Sequence, residues 1–157
     1  MQFSLTQYYR AVTKVLKNSE FFKIAAFVKI TKVLEIYTDG SSKGAYGSWA
    51  YVISRSGKCI SESSGRIRRA NSNTMEFQAA IEALTAIPVK SRVILYSDSR
   101  VVVDTMKFGN GPRAHEVQIE SLKRLNSEHQ ISWRWLKAHH GNRFNERCDE
   151  LCTLARG

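Results

Sequence analysis

The chain has 157 residues, with 24 Lys/Arg against 14 Asp/Glu and a formal net charge of +10. That length bounds it to one domain with at most an appendage, and it is enough to bury a core without covalent staples. The basic balance favours a polyanionic partner, and three cysteines, which cannot all pair, fit a reducing intracellular setting better than a secreted one.

Residues 1–33 carry six Lys/Arg and one acid, half of the net charge. Leu5, Tyr8, Tyr9, Val12, Val15 and Leu16 fall at helical spacing, with Arg10, Lys14 and Lys17 on the opposite face. Ser19 could cap a second segment through Phe21, Phe22, Ile24, Phe27 and Val28. These residues are expected to form a basic amphipathic N-terminal extension. The first nineteen residues contain no acid, so a mitochondrial-type transit peptide is the alternative. The most apolar window, Phe21 to Leu34, is broken by Lys23, Lys29 and Lys32, and no transmembrane helix or secretory leader is expected.

From Leu34 onward the pattern predicts strands at 34–39, 46–54 and 58–67, the last two joined by a Ser56-Gly57 hairpin turn. A helix is expected over 74–86, stopping before Pro88. A strand at 92–97, a helix at 99–108 and a turn at Gly109-Asn110-Gly111-Pro112 follow. Then come a helix at 114–127, a strand at 130–136 and a last helix at 144–155. Five strands and intervening helices in this order imply an α/β fold with a mixed sheet and helices on its faces. Functional groups should then gather at strand ends, near a switch in strand order. Cys148 and Cys152, one helical turn apart, are read as core packing rather than a ligand pair. His115 and His129 are read as surface or helix-end residues.

Two apolar, β-branched runs end on Ser/Thr-Asp followed by a small residue: Leu34–Thr38 before Asp39-Gly40, and Val93–Ser97 before Asp98-Ser99. A buried strand delivers a carboxylate to a sheet in this way. Glu76 opens an apolar-periodic helix after Asn73-Thr74-Met75, and Asp149 begins the last one. Taken singly, each is an ordinary strand-end, helix-dipole or solvated acid. Together they offer what phosphodiester hydrolysis by hard cations requires. Two divalent ions about 3.5–4 Å apart can activate water, stabilise the transition state and support the leaving oxygen. Mg²⁺ prefers carboxylate, water and phosphate oxygens.

The segments Tyr-Thr-Asp-Gly-Ser at 37–41, Asn-Thr-Met-Glu-Phe at 73–77, Ser-Asp-Ser at 97–99, Trp-Leu-Lys-Ala-His-His-Gly at 135–141 and Asn-Glu-Arg-Cys-Asp-Glu-Leu at 145–151 stand in one order. Together they resemble the type 1 ribonuclease H family from about Leu34 to about Ala155. The resemblance implies a ribonuclease H-like catalytic domain over 34–157. It also implies a two-metal endonuclease, using Mg²⁺ or alternatively Mn²⁺, that cuts the RNA strand of RNA–DNA hybrids to 5′-phosphate and 3′-hydroxyl ends. Asp39, Glu76, Asp98 and Asp149 would hold the metals. His139, favoured over His140 by its place in the motif, would assist proton transfer or product departure.

Gly40, Ser41 and Asn73 match places that contact the RNA 2′-hydroxyls in the family, and Ser72 and Arg100 stand at two further substrate-binding places. Arg100 and Ser72 depart from the commoner Gln and Asn, and the loop at 42–47 is shortened. The family's basic, Trp-rich insertion is missing after Lys107, and Arg10, Lys14 and Lys17 are a candidate substitute grip on nucleic acid. No obligate protein partner is implied. The rival functions are a related nuclease with relaxed specificity, including double-stranded RNA, and a non-catalytic hybrid-binding module. Unused clustered acids would repel one another, which argues against the module.

Overall fold

The computed structural model describes residues 33–157. The expected basic helix with Arg10, Lys14 and Lys17, and its proposed apolar face, lie outside the described residues.

β1 (Leu34–Lys43), β2 (Tyr46–Arg55) and β3 (Lys58–Arg68) form an antiparallel meander. β4 (Arg92–Ser97) and β5 (Gln130–Trp135) add in parallel on the other side of β1, giving the order β3-β2-β1-β4-β5. The expected mixed five-stranded sheet is therefore present. Ser56 and Gly57 have φ of 52° and 72°, the paired positive values that a two-residue turn needs to match strand twist.

β1 is longer than the pattern suggested. Polar residues 40–43 stay in the strand because β2 pairs with them as far as Lys43↔Tyr46. The parallel ladder to β4 stops at Thr38↔Ser97. Asp39 therefore sits where one neighbour of β1 continues and the other ends. That step opens the sheet beside Asp98.

Among the described residues four α-helices flank the sheet: α1 (Ser72–Thr85), α2 (Arg100–Phe108), α3 (Glu116–Glu128) and α4 (Arg143–Arg156). α1 starts two residues earlier than expected because Asn71, not a later residue, caps it by accepting from Thr74 N at 2.8 Å. Ser99 caps α2, and Asn142 caps α4 by accepting from Phe144 N and Asn145 N. A 3₁₀ turn at Arg113–His115 precedes α3.

The sheet has two unlike faces. α1, α2 and α3 share a large apolar cluster with Leu34, Ile36, Tyr51, Ile53, Val93 and Leu95. α4 covers a small one made of Tyr37, Ala50, Val52, Cys148, Leu151 and Cys152. Cys148 and Cys152 are core residues, as expected, and their thiols donate to Tyr37 O (3.3 Å) and Asp39 O (3.5 Å). His115 and His129 do lie at helix ends, but both are buried rather than at the surface. The His129 Nδ1 accepts from Ser91 N at 3.3 Å.

Candidate active site

The period of two along β1 puts Tyr37, Asp39 and Ser41 on the α4 face, and Thr38 and Gly40 on the α1 face. Gly40 is a contact point. A Cβ there would lie within the backbone of Met75 and Glu76, 2.6 Å from the Glu76 Cα. Its absence lets the first turn of α1 press directly on β1 and brings Glu76 beside Asp39.

Asp98 follows the last residue of β4 and is held on several sides. Ser99 N donates to Ser97 Oγ (3.0 Å), Leu136 N to Ser97 O (3.1 Å) and the Trp135 indole Nε1 to Asp98 O (2.9 Å). Its Oδ2 accepts from Asn145 Nδ2 at 3.4 Å.

Oxygens of Asp39, Glu76 and Asp98 all lie within 4.8 Å of one another. Asp39 and Glu76 are buried, and among the described residues Asp39 Oδ2 and Glu76 Oε2 have no hydrogen-bond partner. Burial, and then the neighbouring charges of Asp98 and Asp149, push the Asp39 carboxyl up to about 6. Burial, followed by Asp39 and Asp98, holds Glu76 well above the ordinary carboxylate range. The Gly40 amide works against the rise at both. Among the described residues, no cation balances these three converging acids with their two orphaned buried oxygens. A hard divalent cation fits this set, because it takes carboxylate oxygens and removes their repulsion.

The other candidates fall in different places. Asp149 is half-buried on α4 and its charge acts on Asp39, yet it stands outside the three-oxygen group. His139 and His140 are exposed in the loop between β5 and α4. His139 has φ of 51°, a left-handed backbone rare for a residue with a side chain.

Ser41 Oγ lies 3.3 Å from Ser48 Oγ, and both accept from Arg156 Nη1. Ser72 Oγ pairs with Ser42 Oγ at 2.9 Å, tying the start of α1 to the end of β1. Asn73 is exposed beside it. Arg100, exposed at the start of α2, stacks on Trp135 with its guanidinium carbon 3.9 Å from the ring centroid.

Sequence reading did not single out Asn145, Trp135 or Arg156. Asn145 had a signal, since it precedes Asp149 by four residues and so shares its helix face. The contacts of Trp135 and Arg156 cross between elements and leave no local pattern. A groove of about 480 Å³ lined by Lys58, Cys59, Glu62, Arg143, Phe144 and Arg147 includes none of the clustered carboxylates. They sit instead just beyond the point where the β1–β4 ladder ends at Thr38↔Ser97.

The family profile for RNase H matches residues 31–156. A Ribonuclease H of Erythrobacter litoralis is 36% identical over 139 residues, covering 79% of this chain and 96% of that protein. A Ribonuclease H of Hahella chejuensis is 37% identical over 138 residues, covering 78% and 93%. Among solved structures, RNase H1 of the halophilic archaeon Halobacterium salinarum superposes with a TM-score of 0.69 at 22% identity, covering 79% of this chain and 97% of that one. LC11-RNase H1 in complex with an RNA/DNA hybrid superposes with a TM-score of 0.64 at 20% identity, covering 79% and 99%. The structural likenesses speak for the fold, and the sequence likenesses for the family. The chain belongs to the ribonuclease H family of endoribonucleases.

Proposed function

We propose that this protein hydrolyses the RNA strand of RNA–DNA hybrids with two divalent metal ions, Mg²⁺ or alternatively Mn²⁺, leaving 5′-phosphate and 3′-hydroxyl ends. The observation that carries this reading is the convergence of Asp39, Glu76 and Asp98, with orphaned oxygens on two of them. Its setting in a ribonuclease H family member, and a fold neighbour bound to an RNA/DNA hybrid, support the substrate.

Asp39, Glu76 and Asp98 would hold the metal, with Asp149 completing the set from α4. The bound ions would supply charge stabilisation and an activated water. Asn145 orients Asp98, and Trp135 and Ser97 fix the backbone that carries it. His139 would move protons or help product leave. A left-handed backbone at a residue with a side chain costs on the order of 1 kcal/mol and tends to collect at functional loops, which supports a role for it. The β1–α1 junction would read the ribose 2′-hydroxyls through Gly40, Ser41, Ser72 and Asn73. Each stands at or beside the contact between Gly40 and the first turn of α1.

Residues 1–33 would grip hybrid phosphates through Arg10, Lys14 and Lys17. Deleting them should flatten the salt dependence of hybrid binding, by about 0.7–0.9 in slope for each phosphate left without its cation. Free thiols at Cys59, Cys148 and Cys152, and relatives from bacteria, support an intracellular location. Among the described residues no helix is long and apolar enough to cross a membrane.

The test is cleavage of labelled RNA–DNA, RNA–RNA and DNA–DNA duplexes with Mg²⁺, Mn²⁺ or EDTA. RNA-strand cutting confined to the hybrid and abolished by EDTA is expected. Equal cutting of RNA–RNA would favour a relaxed nuclease, and binding without cutting in any metal would favour a non-catalytic module.

A further inference from the structure

Trp135 ends β5 opposite Ser97, the residue before Asp98. It lies two residues beyond the buried Trp133, on the same face of the strand, yet 39% of it is exposed. An exposed indole at a strand end needs no explanation alone. This one makes two directed contacts at the site. Its Nε1–H donates to the Asp98 carbonyl at 2.9 Å. Its ring carries the Arg100 guanidinium at 3.9 Å from the centroid.

Arg100 is itself oddly placed. It is a cation on the first residue of α2, where the helix dipole favours negative charge. Among the described residues it makes no ion pair. Stacking on the indole fixes a long, rotamer-rich side chain without neutralising it. A fixed, unneutralised guanidinium two residues from Asp98 is arranged to meet an anion arriving at the carboxylate site.

We propose that Trp135 is a positioning residue of the nuclease site: its indole N–H locks the backbone of Asp98, and its ring face holds Arg100 toward a phosphate of the RNA strand. The proposal rests on the hybrid-cleavage reading. The two contacts use different parts of one side chain, so variants separate them.

Trp135→Phe keeps a ring under Arg100 and removes the N–H. It should lower kcat about fivefold, the worth of one hydrogen bond, with KM within about twofold. The Mg²⁺ concentration giving half of the melting-temperature rise should increase about tenfold, as for groups that orient metal ligands. Trp135→Leu removes both contacts and should add a rise in KM. Its hybrid binding in EDTA should show a salt slope smaller by about 0.7–0.9. Arg100→Gln should reproduce the KM and slope changes without the shift in Mg²⁺ midpoint.

A Trp135→Phe enzyme with wild-type kcat and Mg²⁺ midpoint would overturn the positioning role. A Trp135→Leu enzyme with wild-type KM and salt slope would overturn the platform role. If the wild type leaves the hybrid uncut, the ribonuclease reading itself fails, while the EDTA binding slopes still decide whether Trp135 holds Arg100 toward phosphate.

Discussion

On one face of the sheet, Leu34, Ile36, Tyr51, Ile53, Val93 and Leu95 meet three helices through Phe77, Leu84, Val102, Val103 and Leu122. On the other face, among the described residues, α4 covers Tyr37, Ala50 and Val52, and Asp39, Asn145 and two thiols are buried beside them. Among the described residues, four buried polar atoms lack a partner. Three of them, on Asp39, Glu76 and Asn145, belong to the site; the fourth is His115 Nδ1, whose ring packs against Phe77. The larger apolar core and most of the candidate site thus lie on opposite sides of one sheet. The first face is apolar and closely packed. The second carries groups that are costly in isolation and are expected to become favourable once a cation is bound. Glu76 is the exception, since it belongs to α1, and Gly40 is the point at which its backbone comes through.

The contrast can be broken most severely at that point. Gly40→Ala should abolish activity and destabilise by more than about 4 kcal/mol, because the new methyl falls on the rigid backbone of α1; thermal melts and cleavage rates read both. Phe77→Ala, in the large core, should cost about 3–5 kcal/mol of stability while the fraction that stays folded cuts at close to the normal rate. Asp98→Asn should do the reverse. Its cleavage rate should drop by about 10³-fold or more, the worth of several kcal/mol of lost transition-state stabilisation, with little change in melting temperature. His139→Ala should slow turnover by about 10²-fold, with a smaller effect for His140→Ala; the opposite ranking would move the role to His140. Asp98→Asn unfolding as readily as Phe77→Ala would collapse the division between the two faces.

Much of this division was legible in the residues. The apolar runs leading to Asp39 and Asp98, and the helix that begins before Glu76, drew attention to three carboxylates by local pattern, although Asp39 lies within β1 rather than at its end. The Ser56-Gly57 turn and the Cys148/Cys152 spacing were equally local, and both match the structure. Non-local features were hidden. The extension of β1 through Lys43 depends on pairing with β2, not on the propensity of Ser41-Ser42. The burial of His115 and His129 depends on what packs over the ends of α3. Asn145 reaches Asp98 across 47 positions and Trp135 reaches it across 37. Such contacts exist only once the sheet is assembled.

Melting curves of the wild type and Asp39→Asn, each in EDTA and in Mg²⁺, decide whether the carboxylate cluster opposes folding until a cation binds. A folded-state carboxyl raised from 3.8 to about 6 binds its proton more tightly in the folded protein than in the unfolded one. Its ionised form therefore opposes folding above about pH 6, by about 3 kcal/mol, and the cost fades as pH falls toward 4. In EDTA at pH 8, Asp39→Asn should melt above the wild type, and the gap should close as pH falls from 6 to 4. Added Mg²⁺ should raise the wild type and leave Asp39→Asn nearly unchanged. A wild type indifferent to Mg²⁺, or an Asp39→Asn protein less stable than wild type in EDTA at pH 8, would contradict the account.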